Sequence, residues 1–146
     1  MMQFIHNDGG RAAAGYTGDA RDCVCRALAI AGRMPYQAAY ELINAAGEAE
    51  RPLRGDAKRS SARRGVYKPT TRQVMAAQGF RWVPTMRIGQ GCKVHLRDGE
   101  LPGGRLIVSV SRHVTAVIDG VIFDTYDPSR GGTRCVYGYW ICEAAP

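Results

Sequence analysis

No apolar run in the chain approaches about 18 residues, the length of a membrane-spanning helix, so no such helix is expected. The opening, MMQFIHNDGGRAAAGY, lacks a cationic segment followed by an apolar one, and no export signal is read there. A cytoplasmic protein is the resulting expectation. Cysteine is too irregular to form a framework: Cys23, Cys25, Cys92, Cys135 and Cys142 are odd in number and unevenly spaced, so free thiols are expected. Neither DGGRAAAGYTG nor the segment around Gly89 and Gly91 is followed by Lys-Ser/Thr or set in a βαβ unit, which excludes a phosphate loop. No internal repeat is present.

What remains is an ordinary folding composition. Of 146 residues, 45% are hydrophobic and 23% charged, enough to bury a core, and one domain over residues 1–146 is expected. The net charge of +7 permits an acidic partner without requiring one.

Val24, Ala27, Leu28 and Ala31 recur at helical spacing, predicting a core-facing helix from Cys23 to Ala31 with Asp22 as cap and Gly32 as stop. A second helix should open at Pro35 and run to Gly47, with Tyr36, Tyr40 and Ile43 on one face, making a hairpin with the first. Residues 48–69 change character. Six of the 17 residues from 51 to 67 are Arg or Lys, which predicts a poorly packed basic loop, open to trypsin at Arg54, Lys58, Arg59, Arg63 and Arg64. Such a run is usually solvated, and it lacks the interleaved aromatics of a stacking platform for nucleic acid.

A third short helix should start at Thr70 or Thr71 and end at Gly79, before a strand FRWVP; an irregular, glycine-rich stretch follows. The runs RLIVSV, HVTAVI, VIFDTYD and TRCVYGYWIC then read as strands, with Asp119-Gly120 a strong hairpin signal. Helices first and an antiparallel sheet afterwards make an α+β fold.

The hairpin places chemistry. With a two-residue turn, Ile118 pairs with Val121, Thr115 faces Asp124 and His113 faces Tyr126. His113 and Asp124 are then diagonal neighbours on one face. A one-residue bulge or a three-residue loop would bring Asp127 opposite His113 instead, so Asp124 is the expected partner and Asp127 the reserve. Cys23 opens a helix, where the dipole and a nearby imidazolium favour its thiolate. Cys23 as nucleophile, His113 as proton carrier and Asp124 as orienting acid form a coherent catalytic set.

The bland reading makes each cysteine a small core residue and His113 a turn-satisfying histidine. The first-turn position favours reactivity for Cys23. Cys25 lies about 200° around the helix and is expected in the core, with Cys92, Cys135 and Cys142 structural. Cys92 and His95 begin a metal site but lack a second pair, so no metal or cofactor is expected.

DCVCRAL at a helix start, with RHVTAVIDGVIFDTYDP as a His strand, turn and polar strand, resembles the papain-like cysteine peptidase superfamily, including its C39-like and NlpC/P60-like branches. Asp124-Thr125-Tyr126 stands where those enzymes have Asn-Ser-Trp. The resemblance covers residues 16–46 and 105–128. It implies a papain-like fold, N-terminal helices packed on a C-terminal sheet, and a thiol hydrolase or acyltransferase acting on an amide or thioester of a protein or peptide through Cys23, His113 and Asp124. Those enzymes carry a Gln six residues before the nucleophile; here it is Thr17. The Cys23 N–H remains as one oxyanion donor, with Asn7, Tyr16 and Thr17 as candidates for the other. The same segments are similar to small phage- and prophage-encoded proteins. The rival expectation is a non-catalytic protein on this fold that binds nucleic acid or an acidic host protein through its basic loop.

Overall fold

The stripe of Val24, Ala27, Leu28 and Ala31 is buried along α1 (Cys23–Ala31) in a computed structural model that describes residues 2–50 and 58–143. After Gly32, Arg33 turns the chain in the left-handed region at φ 53°, and α2 (Tyr36–Glu48) follows behind Pro35. The two helices make the expected hairpin, sharing an apolar cluster through Leu28, Tyr36, Ala39 and Ile43. α3 (Lys68–Ala77) begins earlier than Thr70, because Pro69 is tolerated in a first turn, where its missing N–H has no acceptor to lose.

Six strands follow the order β1-β5-β4-β3-β6-β2: β1 (Gln3–His6), β2 (Phe80–Pro84), β3 (Arg105–Val110), β4 (His113–Ile118), β5 (Val121–Asp124) and β6 (Gly138–Cys142). The fold is α+β, but the sheet is mixed rather than antiparallel. β1 runs parallel to β5, with Gln3 opposite Val121 and His6 opposite Asp124. This four-residue strand is mostly exposed, so it carries no alternation to read. Its continuation matters for the site: the Asn7 N–H donates to the Asp124 carbonyl at 2.8 Å.

Alternation along β3 sends Ile107 to the helical layer, with Ala116 and Trp140, and sends Leu106, Val108 and Val110 to the other face. That second face is covered by Met2, Leu96 and Val136 from non-helical chain. The strand expected over TRCVYGYWIC therefore shortens to GYWIC. Its first half crosses to the irregular segment, where the Leu96 N–H donates to the Arg134 carbonyl at 2.9 Å and the Val136 N–H to the Val94 carbonyl at 2.8 Å. The same crossing joins Cys92 to Cys135 in a disulfide, correcting the expectation of free thiols throughout; Cys23, Cys25 and Cys142 stay free. Pairing across 43 residues follows from the tertiary approach of two loops, which spacing alone does not encode.

The basic segment is a loop with Lys58, Arg59, Arg63 and Arg64 exposed, as expected, but where it is described it is not poorly packed. Arg54 lies outside the described residues. From Lys58 onward the chain is tied down: Ala62 is 1% exposed, Ser60 is buried, and Ser61 and Gly65 form a β-bridge. Glu50 accepts the Ser60 N–H at 2.8 Å and the hydroxyls of Ser60 and Thr70. Ser60 in turn packs so close to α2 that a Cβ at Gly47 would fall 2.0 Å from its carbonyl oxygen. Small residues between the arginines, Ser60 and Ala62, make these contacts rather than large apolar ones. Among the described residues no helix is long and apolar enough to cross a membrane.

Candidate active site

Turn chemistry sets the site. Asp119 and Gly120 take φ of 48° and 80°, the paired positive values that a two-residue hairpin turn demands. Ile118 opposite Val121 and Val117 opposite Ile122 follow, which is the anticipated register. His113 and Asp124 consequently meet, with Nε2 of the imidazole 2.7 Å from Oδ2 of the carboxylate. Asp127 does not compete: its carboxylate accepts the Ser129 N–H at 2.9 Å. The Tyr126 ring packs on His113 with centroids 5.1 Å apart.

Cys23 is the first residue of α1 and is half-buried. Nε2 of His113 is committed to Asp124, so Nδ1 is the nitrogen left for the sulfur. Burial alone would raise the Cys23 thiol; hydrogen bonds from His113 and the Val114 N–H, with the nearby positive charges, outweigh it and hold the thiol below its ordinary range. Burial would likewise discharge His113, but the bonds to Asp124 and Cys23 dominate and lift it from 6.5 to about 8. Asp124, despite burial, is held below the usual carboxylate range chiefly by His113. These three directions agree: each group is shifted towards its charged form, the thiol towards thiolate, the ring towards imidazolium and Asp124 towards carboxylate.

Behind Cys23, His113 and Asp124 lies a charged layer that sequence reasoning missed. Arg26 ion-pairs Asp22 and reaches Asp124 at 3.4 Å. Asp22, only 2% exposed, also accepts the Tyr36 hydroxyl at 2.7 Å and faces the Arg11 guanidinium at 3.5 Å. Its expected capping bond is absent among the described residues, since a buried carboxylate satisfies itself first with charged and phenolic donors. The i,i+4 spacing of Asp22 and Arg26 was the available signal.

The proposed second oxyanion donors are elsewhere. The Tyr16 hydroxyl bonds Gln37, the Asn7 side chain accepts the Gly9 N–H at 2.7 Å, and the Thr17 carbonyl accepts from Arg11 and Arg63, each at 3.2 Å. None of the three lines either cavity at Cys23. The Cys23 N–H, at the first helical position, stands outside the α-helical ladder and points from the helix mouth.

Two clefts, of about 410 and 490 Å³, meet at this point. They share four lining residues: Cys23, His113, Arg21 and Arg112. The first continues over Val24 and Val66 to the Trp82–Trp140 pair, whose ring centroids are 4.5 Å apart; the second is bounded by Asp22, Arg26 and Tyr126. Comparison with family models, curated proteins and solved structures finds no match to this chain.

The other sequence candidates fall outside the clefts. Cys25 is fully buried, its S–H directed at the Tyr36 carbonyl 3.9 Å away, and burial pushes it up to about 12. The Cys92 sulfur is taken by Cys135, while His95 Nδ1 lies 3.3 Å from Glu100. Among the described residues no three His, Cys, Asp or Glu side chains are grouped to hold a metal.

Proposed function

We propose that the protein is a thiol hydrolase of papain-like layout, cysteine peptidase-like, which cleaves an amide or thioester through Cys23, His113 and Asp124. The observation that carries the reading is the position of His113: Asp124 bonds one ring nitrogen at 2.7 Å, and the ring lines both clefts together with Cys23 at the mouth of α1.

The Cys23 thiolate attacks the acyl carbon, and the carbonyl oxygen becomes an oxyanion received by the Cys23 N–H at the positive end of the helix dipole. The imidazolium of His113 delivers its proton to the leaving nitrogen or sulfur as the tetrahedral intermediate collapses. A water then enters, His113 takes its proton, and the acyl group departs as a carboxylic acid with the thiolate restored. Asp124 keeps Nε2–H bound throughout and stabilises the charged ring. The meeting of two clefts at Cys23 leaves room for substrate on both sides of the scissile bond.

A second reading, a non-catalytic binder of an acidic host protein or nucleic acid in a phage setting, is favoured by the cationic rim at Arg64, Lys68 and Arg72. Reaction with a chloroacetamide probe at pH 6, mapped by peptide mass, separates the two. Cys23 is expected to label before Cys25 and Cys142; equal or slower labelling of Cys23 supports the binder.

A further inference from the structure

The cleft that runs from Cys23 to the Trp82–Trp140 pair has an unbalanced lining. Arg21, Arg64, Lys68, Arg72 and Arg112 all border it, every one of them exposed, and no Asp or Glu does. Among the described residues none of these five makes an ion pair, whereas Arg11, Arg26, Arg81 and Arg97 each have a carboxylate partner. Carboxylates are therefore spent elsewhere, and like charges are left converging on one recess. That arrangement is repulsive until an anion enters. The imidazolium of His113 adds a further positive charge at the inner end.

Arg112, in the Ser111-Arg112 turn directly before His113, lines the boundary shared by both clefts. Arg72 is steadied over the Trp82 ring, 5.9 Å from its centroid, so this cation is held at the wall of the cleft.

Resting on the hydrolase reading, we propose that the substrate is an acidic peptide, with an Asp or Glu side chain beside the scissile acyl group lying over Trp82 and Trp140 among Lys68, Arg72 and Arg112. A peptide fits better than nucleic acid for two reasons. The recess, of about 410 Å³, ends on a thiol that attacks acyl carbon, which nucleic acid does not offer. A polynucleotide also needs a cationic track with successive stacking faces, and here the cations ring a single indole pair.

The test uses two covalent probes that differ in one charge, acetyl-glutamyl and acetyl-glutaminyl chloromethyl ketone. In each, the Cys23 thiolate displaces chloride from the chloromethyl carbon, forming a C–S bond and releasing chloride ion. The glutamyl probe is expected to inactivate the full chain about tenfold faster at low salt. The ratio should fall towards one with added sodium chloride, and also in the Lys68→Gln/Arg72→Gln variant. Equal rates for the two probes, with Cys23 still labelled ahead of Cys142, overturn the acidic-substrate inference and leave the hydrolase standing. Failure of both probes to reach Cys23 first overturns both. A short oligonucleotide that shields Cys23 better than oligo-glutamate does assigns the recess to nucleic acid and overturns the peptide.

Discussion

The mouth of α1 and its inward face carry the same side chain two residues apart, and the two thiols are driven in opposite directions. Cys23 meets an imidazole, a backbone N–H and the end of the helix; Cys25 meets the Tyr36 carbonyl and apolar neighbours, and rises to about 12. Burial opposes ionisation at both. What separates them is that burial at the mouth is offset by donors, and burial inside is not. The ionisation of a thiol here follows its position rather than its residue type.

The largest test of that contrast is Cys23→Ser. Turnover should fall by a factor on the order of a thousand or more, with the melting temperature nearly unchanged. Cys25→Ser should do the reverse, keeping turnover while costing about 1–2 kcal/mol of stability by denaturant unfolding, since it puts a hydroxyl among apolar neighbours. Similar activity losses in both variants would break the comparison.

His113→Ala should reduce turnover about a hundredfold or more and slow alkylation of Cys23 at pH 6, while Cys25 stays unlabelled in either protein. The pH profile sharpens this. Turnover in the native protein should decline as pH rises through about 8, where His113 loses the proton it donates, whereas alkylation of Cys23 should not decline, because the thiolate persists. The sign for stability follows from the same raised value. Protonated His113 contributes fully below its ordinary 6.5, and that contribution is lost as pH rises through about 8, readable as a falling melting temperature.

Asp124→Ala should be milder than His113→Ala in turnover, since it removes orientation and charge while leaving thiol and ring in place. The smallest effect belongs to Asp127→Ala. Its carboxylate serves the Ser129 N–H, so turnover should stay within about twofold, with a loss of roughly 1 kcal/mol from the turn.

The contrast at α1 also shows what the sequence made legible. A 3.6-residue stripe and a positive-φ dipeptide are local signals, and together they placed Cys23 at a helix mouth and His113 beside Asp124 before any coordinates. The rest depends on which distant segments meet. β1 has no pattern because it is short and mostly exposed, and it is held by pairing with the distant β5. Cys92 and Cys135 pair because two loops cross. The basic segment misled because its packing relies on Ser60, Ala62 and Glu50, whereas composition advertised only its arginines. Asp22 was read as a cap because capping is local, while its ties to Tyr36 and Arg11 span 14 and 11 positions of chain.

The Asp119–Gly120 turn has a consequence for how this chain can diverge. Strand side chains alternate faces, so a one-residue slip of register at that turn would carry Asp124 to the opposite side of β5 and bring Asp127, from beyond the strand, towards His113 in its place. Substitutions that tolerate positive φ keep the spacing; insertions do not. The turn is thus a length standard for the site: on the proposed hydrolase reading it must stay at two residues to keep His113 and Asp124 together.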